Sequence, residues 1–552
     1  MRFKIFIMSA IKKLALCILL LILLQISMQS KAQPLKQEAN RLVTNKEYCK
    51  AIEYYEKAIK QDETMDNYSY YAAAQAACQC GQTDKAIQFY KEGFKIAVDF
   101  TNYSFFKDDT LNNCFSKTEE WKSIIKNMAR MYDSSEAKIE MYLADINDSN
   151  KKINESLLTD TNYWKGLSKK STVGSLISKI MKFNNYPIPP ITNRWVLYYY
   201  KVNDTLTMPY LVYIPKEYKP KIKTPLYIYL HGAVRRKFLS VKDVYLPKHE
   251  APFLDNPINQ NAFIIYPFAN KSFNWLFHQE AFDAIIAELR HVKSLYNIDD
   301  NKVYINGHSN GGSGAFWFAV NNRTNFAGFA GLCYNPSSYM GNTSLRNLNN
   351  ESTFWGITDN QGGIFNFKEV DDLAKKTNKN WVNYIVAGGH DLPYKSPASI
   401  SFLYDTLIRQ KRNPYPIKIE WEIDNIKNGR CYWIEINELD TLSVKESWAI
   451  TEPVATNIDK SNKYADFYKN KSGTILAEIK NNILTVKTSC VKTFTFYVTP
   501  DLINLDIPLK IYVNNNLMYN SKVKTDKKIL LEEFLNTKDR SLLVLTKIKI
   551  LL

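Results

Sequence analysis

Between Lys302 and Ala315 a short run of β-branched and aromatic residues, Val303-Tyr304-Ile305, passes through Asn306 into Gly307-His308-Ser309-Asn310-Gly311. A helix-compatible run, Ala315-Phe316-Trp317-Phe318-Ala319-Val320, follows at once. The spacing predicts a strand that turns sharply into a helix with Ser309 at the bend. Glycines two residues to either side suit such a bend, because a Cβ at either place would crowd the neighbouring strand and helix. A serine hydroxyl is a weak nucleophile and needs a base within reach and backbone N–H groups nearby, and this geometry supplies room for both. A glycine-rich turn with a solvated serine would read the same locally, so the partners decide.

The chain has six histidines, at 231, 249, 278, 291, 308 and 390, and only His390 follows Ser309. Where a strand-to-helix nucleophile sits in a doubly wound sheet, the chain order is Ser, then acid, then His. His390 lies in Ala387-Gly388-Gly389-His390-Asp391, just past a predicted strand, in a glycine-lined loop that can carry an imidazole over the nucleophile. The acid belongs at the end of the preceding strand, where Asp359 closes Phe354-Trp355-Gly356-Ile357-Thr358-Asp359. It would accept the Nδ1–H of His390 and stabilise the imidazolium. Asp371 and Asp372 compete but fall in a segment that reads as the next helix. Two donors are needed for an oxyanion: the N–H of Asn310, and one from the loop Leu230-His231-Gly232-Ala233, assigned to Ala233. His231 and His308 read as loop supports. Trp275 and Tyr334, with Phe273, are candidates for the wall of a substrate pocket, with a place in the core as the weightier alternative for Phe273 and Tyr334.

Length implies three or four domains. Residues 1–32 read as a signal peptide: Arg2, Lys4, Lys12 and Lys13 precede an apolar run from Leu14 to Ile26, and Ser30-Lys31-Ala32 offers small residues for cleavage before Gln33. Export to a secreted or periplasmic location is therefore expected, with no membrane span once the leader is cut. Residues 33–132 are helical and repetitive: Ala51-Ile52, Tyr55 and Ala58 recur 35 residues later as Ala86-Ile87, Tyr90 and Gly93. They resemble tetratricopeptide repeats and suit a protein partner; a plain helical bundle is the alternative. Residues 133–185 read as a linker with helical pieces. Residues 186–412 open with a hairpin around Asn203-Asp204 and continue as apolar strands alternating with helices, the pattern of a mainly parallel sheet covered on both faces. Residues 413–552 show strands only, which predicts a β-sandwich-like domain.

The formal charge of +17 falls to +12 without residues 1–32, which hold five Lys/Arg and no Asp/Glu. The lysines are scattered, with no aromatic-interleaved basic stripe, so nucleic acid is not an expected partner. Seven cysteines remain at irregular spacing. Cys78-Gln79-Cys80 has the wrong spacing for zinc or a redox pair, and neither metal nor cofactor is expected. Disulfides are allowed, though most of these cysteines read as small core residues.

Taken together, His231-Gly232, Ile298-Asp299, Gly307-His308-Ser309-Asn310-Gly311-Gly312, Asp359 and Gly388-Gly389-His390 resemble an α/β-hydrolase of the secreted esterase group that includes polyhydroxybutyrate depolymerase-like and feruloyl or acetylxylan esterases, with prolyl-oligopeptidase-type peptidases as more distant relatives. The resemblance covers residues 195–412. It implies an ester substrate cleaved through an acyl-enzyme, polysaccharide-linked or polyester in nature. Peptide hydrolysis is one alternative and a non-catalytic, repeat-based interaction protein another. The sequence departs from the group at Asn310, where such esterases commonly carry Met or another apolar residue, and in the basic stretch Val234-Arg235-Arg236-Lys237.

Overall fold

The structure, a computed structural model, describes residues 35–36, 38–61, 67–96, 114–130, 156–232, 234, 261–359, 367–377, 380–386, 397–450 and 470–552. The proposed leader lies outside them. The chain forms two compact units, residues 1–135 and 136–552.

In the first unit, α1 (Tyr48–Gln61), α2 (Asn67–Gln79) and α3 (Thr83–Ile96) pack side by side. The repeated positions are the buried ones: Ala51, Ile52, Tyr55 and Ala58 on α1, and Ala86, Ile87, Tyr90 and Gly93 on α3. Spacing of three and four residues puts each set on one helix face. Gly93 is small for a reason, since a Cβ there would lie 2.9 Å from Tyr71 Cε1. Two disulfides staple the unit, Cys49 of α1 to Cys80 just past α2 and Cys78 of α2 to Cys114 in a later turn. This corrects the expectation that the cysteines serve mainly as core residues. Residues 78 and 80 project about 200° apart around a helix, so each reaches a different partner.

The second unit begins with the stretch expected to be a linker, of which 156–185 is described. It is instead anchored. Asp160 caps α4 (Thr161–Lys169) by accepting the N–H groups of Asn162 and Tyr163, and Thr172 caps α5 (Val173–Met181). Their apolar faces, with Trp164, Leu176 and Ile180, share a core with Leu530, Phe534, Leu543 and Leu545 from the far end of the chain.

The central sheet has eight strands: β1 (Arg194–Lys201), β2 (Thr207–Ile214), β3 (Thr224–Leu230), β4 (Phe263–Pro267), β5 (Ile298–His308), β6 (Gly328–Leu332), β7 (Phe354–Asp359) and β8 (Trp381–Val386). Their spatial order is β1-β2-β4-β3-β5-β6-β7-β8. The first two pairings are antiparallel, and all from β4 onward are parallel. Helices α6 (Gln279–Leu295), α7 (Asn310–Asn321), α8 (Phe367–Thr377) and α9 (Pro397–Arg409) alternate with the later strands. Along β3, Leu226, Ile228 and Leu230 join the core that holds α7, whereas Tyr227 and Tyr229 join the core that holds Leu403, Tyr404 and Leu407 of α9. Both faces are therefore covered, as continuous apolar strands require.

The remaining strands are β9 (Lys418–Ile423), β10 (Arg430–Cys431), β11 (Ile434–Leu439), β12 (Gly473–Lys480), β13 (Ile483–Ser489), β14 (Val491–Val498), β15 (Leu509–Val513), β16 (Asn516–Ser521) and β17 (Thr546–Leu551), with α10 (Lys527–Thr537) before the last. They make a four-stranded sheet, β10-β11-β14-β17, and a five-stranded sheet, β16-β15-β13-β12-β9, over one shared core. The helix α10 was not expected in a segment read as strands only.

This β region is bolted to the central sheet. Strand β9 is an edge, and its unpaired backbone groups are met by side-chain amides: Asn347 pairs with both the N–H and C=O of Glu422, and Asn350 does the same with Glu420. An edge covered in this way cannot recruit another strand. Buried ion pairs add to the seam. Arg412, at the expected boundary, holds Asp539 at 2.7 Å, and Asp300 lies between Lys293 at 2.9 Å and Arg540 at 3.0 Å.

Candidate active site

The bend between β5 and α7 forms as its residues require. Ser309 has φ 55° and ψ −121°, a conformation that costs an L-residue energy and persists only where the surroundings impose it. Those surroundings are backbone. A Cβ on Gly307 would lie 2.5 Å from the Gly311 carbonyl carbon and from the Leu230 oxygen, and one on Gly311 would lie 1.8 Å from that same oxygen. Strand β3 and the first turn of α7 thus clamp the bend. The Ser309 N–H donates to Leu332 O at 2.8 Å, tying it to β6 as well. Although Ser309 occupies the position that caps α7, its hydroxyl does not cap that helix, and both Ser309 and Asn310 remain partly exposed. The first turn presents N–H groups with no intrahelical acceptor and the positive end of the helix dipole.

Strand register relates this bend to the other predicted residues. His308 pairs with Leu332, and Leu332 with Ile357, so these three stand level across β5, β6 and β7. Ser309 lies one residue beyond that level and Asp359 two beyond, at the same carboxyl end of the sheet. Two strand spacings separate them, about 10 Å. Asp359 pairs through its backbone with Val386, the last residue of β8, and His390 follows four residues later. The Asp359 side chain and the whole of His390 lie outside the described residues, as does Ala233. Asp371, the rival acid, is engaged elsewhere. It is buried on α8, accepts Trp381 Nε1 at 2.9 Å and pairs with Lys375 at 2.6 Å.

The loop after β3 is held by its histidine. His231 Nε2 accepts the Ala269 N–H at 3.0 Å, so its proton sits on Nδ1, which donates to Gly232 O at 2.7 Å. A neutral imidazole with both nitrogens engaged is a brace, as expected from the sequence.

Trp275 and Tyr334 correct the pocket assignment. Trp275 is 1% exposed, packs edge-on against His231 at 4.8 Å, and fills the space beside Gly314. Tyr334 is 3% exposed and wedged where Gly312, Gly331 and Gly356 leave room, with its hydroxyl donating to Asn383. Burial pushes its phenol well above the ordinary range. Both are core residues that back the bend, and Phe273, 5% exposed, joins them. An aromatic residue near a motif looks identical in sequence whether it lines a pocket or supports it. The side-chain role of Asn310, which accepts the Val234 N–H, was also missed; its only signal was the departure from an apolar residue.

A cleft of about 480 Å³ between the central sheet and the β region is lined by Trp317, Met340, Asp424 and Glu438 and shares no residue with this site. Among the described residues no group of three or more His, Cys, Asp or Glu is placed to hold a metal. No helix among them is long and apolar enough to cross a membrane.

Residues 271–421 match the prolyl oligopeptidase family (Peptidase_S9). No curated protein matches the chain. Among solved structures, it is similar to a thermostable esterase at 19% identity, covering 40% of this chain and 63% of that one, with a TM-score of 0.31. An S-formylglutathione hydrolase from Staphylococcus aureus is similar at 15% identity over 39% of this chain and 98% of that one, with a TM-score of 0.30. A ferulic acid esterase follows at 14% identity over 40% and 98%, with a TM-score of 0.31. The family match spans the strand, the bend and the helix that carry Ser309, in a mainly parallel sheet of the α/β-hydrolase-like kind, and it supports a serine hydrolase in this part of the chain.

Proposed function

We propose that the chain is an exported serine esterase acting through an acyl-enzyme, with Ser309 as nucleophile, His390 as base and Asp359 as its orienting acid. Ser309 attacks the ester carbonyl while His390 takes its proton. The oxyanion is met by the N–H groups of Asn310 and Ala233. His390 returns the proton to the leaving alcohol, and water then releases the acid by the same path. The single observation that carries this reading is the left-handed Ser309 held between Gly307 and Gly311 at the carboxyl end of β5. The chain order of Asp359 after β7 and His390 after β8 supports it. Two disulfides in the first unit support the leader as an export signal, since such bonds persist in oxidising compartments. The helical repeats of that unit, read as tetratricopeptide-like, would hold a protein partner.

A second reading, peptide hydrolysis, is favoured by the prolyl oligopeptidase match. The ester reading rests on the resemblance of the motif set to secreted esterases and on the described residues before β1 being helical rather than the β-blades that gate such peptidases. A fluorophosphonate probe should label the wild type and not Ser309→Ala, which should lose about 10⁴–10⁶ in kcat. Equal labelling of the two would end the reading. Turnover of proline-containing amides without preference for acyl-nitrophenyl esters would transfer the assignment to a peptidase.

A further inference from the structure

We infer that the cleft between the central sheet and the β region binds a neutral saccharide chain. The site is separate from Ser309, and the inference holds whichever bond that serine cuts. The cleft measures about 480 Å³, within the roughly 300–1,000 Å³ of small-molecule sites. Its walls come from α6 and α7, the loop after β6, the turn after β9, and strand β11.

Strand β11 is shaped for such a site. Ile436 stands opposite Phe494 and Glu438 opposite Thr493, so Asn437 is an extra residue, a β-bulge. Neighbours in a regular strand point to opposite faces, whereas a bulge re-aims a side chain, and here both Asn437 and Glu438 line the cleft. Asn437 Oδ1 accepts the Thr495 hydroxyl at 2.7 Å, and its Nδ2 has no acceptor among the described residues. Asp424 is used on one oxygen only. Its Oδ2 accepts the Asn342 N–H at 2.9 Å and Asn470 Nδ2 at 2.8 Å, while Oδ1 receives no hydrogen bond among the described residues. Two further wall residues, Trp317 and Asn428, are buried with Nε1 and Oδ1 unpartnered among the described residues. The fold thus leaves donors and acceptors unspent around one space.

The lining selects the ligand class. No Lys, Arg or His is among the described residues that line the cleft, so an anion would find no partner and would be repelled by Asp424 and Glu438. A bare divalent cation fits no better. It takes about six to eight oxygens, no group of three His, Cys, Asp or Glu among the described residues is placed to hold one, and Glu438 already pairs with Lys492 at 3.0 Å. Hydroxyls donate to carboxylates and accept from carboxamides, so they suit both kinds of wall group. Trp317, Met340 and Ile426 supply apolar surface for C–H faces. An aromatic pair stands beside the cleft. Phe277, two residues before Gln279 of the lining, meets Tyr339, the neighbour of Met340, edge-on at 5.6 Å, and it is 44% exposed. Asn335 Nδ2 donates to the Tyr339 hydroxyl at 3.0 Å, and the Asn335 N–H donates to Ser313 Oγ in the first turn of α7, which fixes the pair. Such rings offer a sugar a rigid apolar surface.

Isothermal titration calorimetry on the full chain with cellotriose, xylotriose and mannotriose tests the site, with trigalacturonate as the anionic control. At least one neutral trisaccharide should bind saturably and the control should not. Hydrogen exchange should slow on binding in peptides that carry Asp424 and Asn437. Asn437→Asp keeps the acceptor for Thr495 and removes the Nδ2 donor, and Asn425→Asp keeps the acceptor that Oδ1 offers the Lys427 N–H while removing its own Nδ2. Each variant should weaken binding about tenfold with the melting temperature unchanged. Absence of binding by all three neutral trisaccharides, tighter binding of trigalacturonate, or binding that both variants leave intact would overturn the inference. Absence of fluorophosphonate labelling would end the reading of Ser309 alone, since the titrations decide the cleft without it.

Discussion

Gly311 faces Leu230 so closely that a Cβ on the glycine would sit 1.8 Å from the Leu230 carbonyl oxygen. The obstacle is backbone on a central strand and cannot swing aside as a side chain would. Gly311→Ala should therefore cost more than the 1–3 kcal/mol typical of overpacking, about 3 kcal/mol or above. Thermal unfolding would show it, and fluorophosphonate labelling of whatever protein remains folded should be lost.

A glycine elsewhere behaves in the opposite way. Gly166 lies within α4 with nothing within 4 Å of its Cβ position. Gly166→Ala should stabilise the second unit by about 1 kcal/mol, the helix propensity difference, and leave activity unchanged. Urea unfolding monitored by tryptophan fluorescence would measure it.

Arg540 and Lys293 flank Asp300, all three nearly inaccessible to solvent. Burial alone would raise the Asp300 carboxyl, but the two cations outweigh it and hold it below its ordinary value. A depressed carboxyl adds stability above its unfolded value, about 3.9, and that stability is lost as pH falls through the lower folded value. Asp300→Asn should flatten the acid side of a stability–pH curve. Arg540→Met, which leaves Asp300 with Lys293 alone and the buried Phe183 and Ile298 carbonyls without their donor, should cost about 3–5 kcal/mol at pH 7.

Glu288 shows the reverse. It is fully buried on α6, its Oε2 has no hydrogen-bond partner among the described residues, and burial raises its carboxyl well above the ordinary value. The folded state then binds a proton that the unfolded state releases above about pH 4.3, so stability declines as pH rises from there toward the folded value. Glu288→Gln should be more stable than wild type at pH 7 and converge with it near pH 4, as read by melting temperature across that range.

The disulfides of the first unit close stretches of 31 and 36 residues. Each should contribute about 3–4 kcal/mol on the chain-entropy account. Dithiothreitol should lower the melting of residues 33–135 expressed with the full chain while the unfolding of the second unit holds.

The features legible in advance are those set by neighbours in the chain. The strand, bend and helix around Ser309 could be read because the backbone conformation demands glycine at fixed offsets, and the eight strands could be read from apolar runs that only a doubly covered sheet accommodates. The repeat in the first unit was visible because a helix face has a fixed period. Trp275 and Tyr334 were misassigned because apolar character reports burial somewhere and not which side of a wall the ring occupies. The stretch from 156 to 185 looked like a tether because its partners, Leu530, Phe534 and Leu543, lie far away, at the other end of the chain.

Local chemistry was thus enough to place Ser309 on a strand-to-helix bend and Asp359 at the end of a later strand, since turn sterics and periodicity act over a few residues. It could not say that Cys78 bonds Cys114, that Asn347 and Asn350 cover the edge strand β9, or that Asn310 reaches Val234. Those pairings join groups that are remote along the chain, and a polar side chain is satisfied by whichever donor or acceptor the folded protein brings within about 3 Å of it.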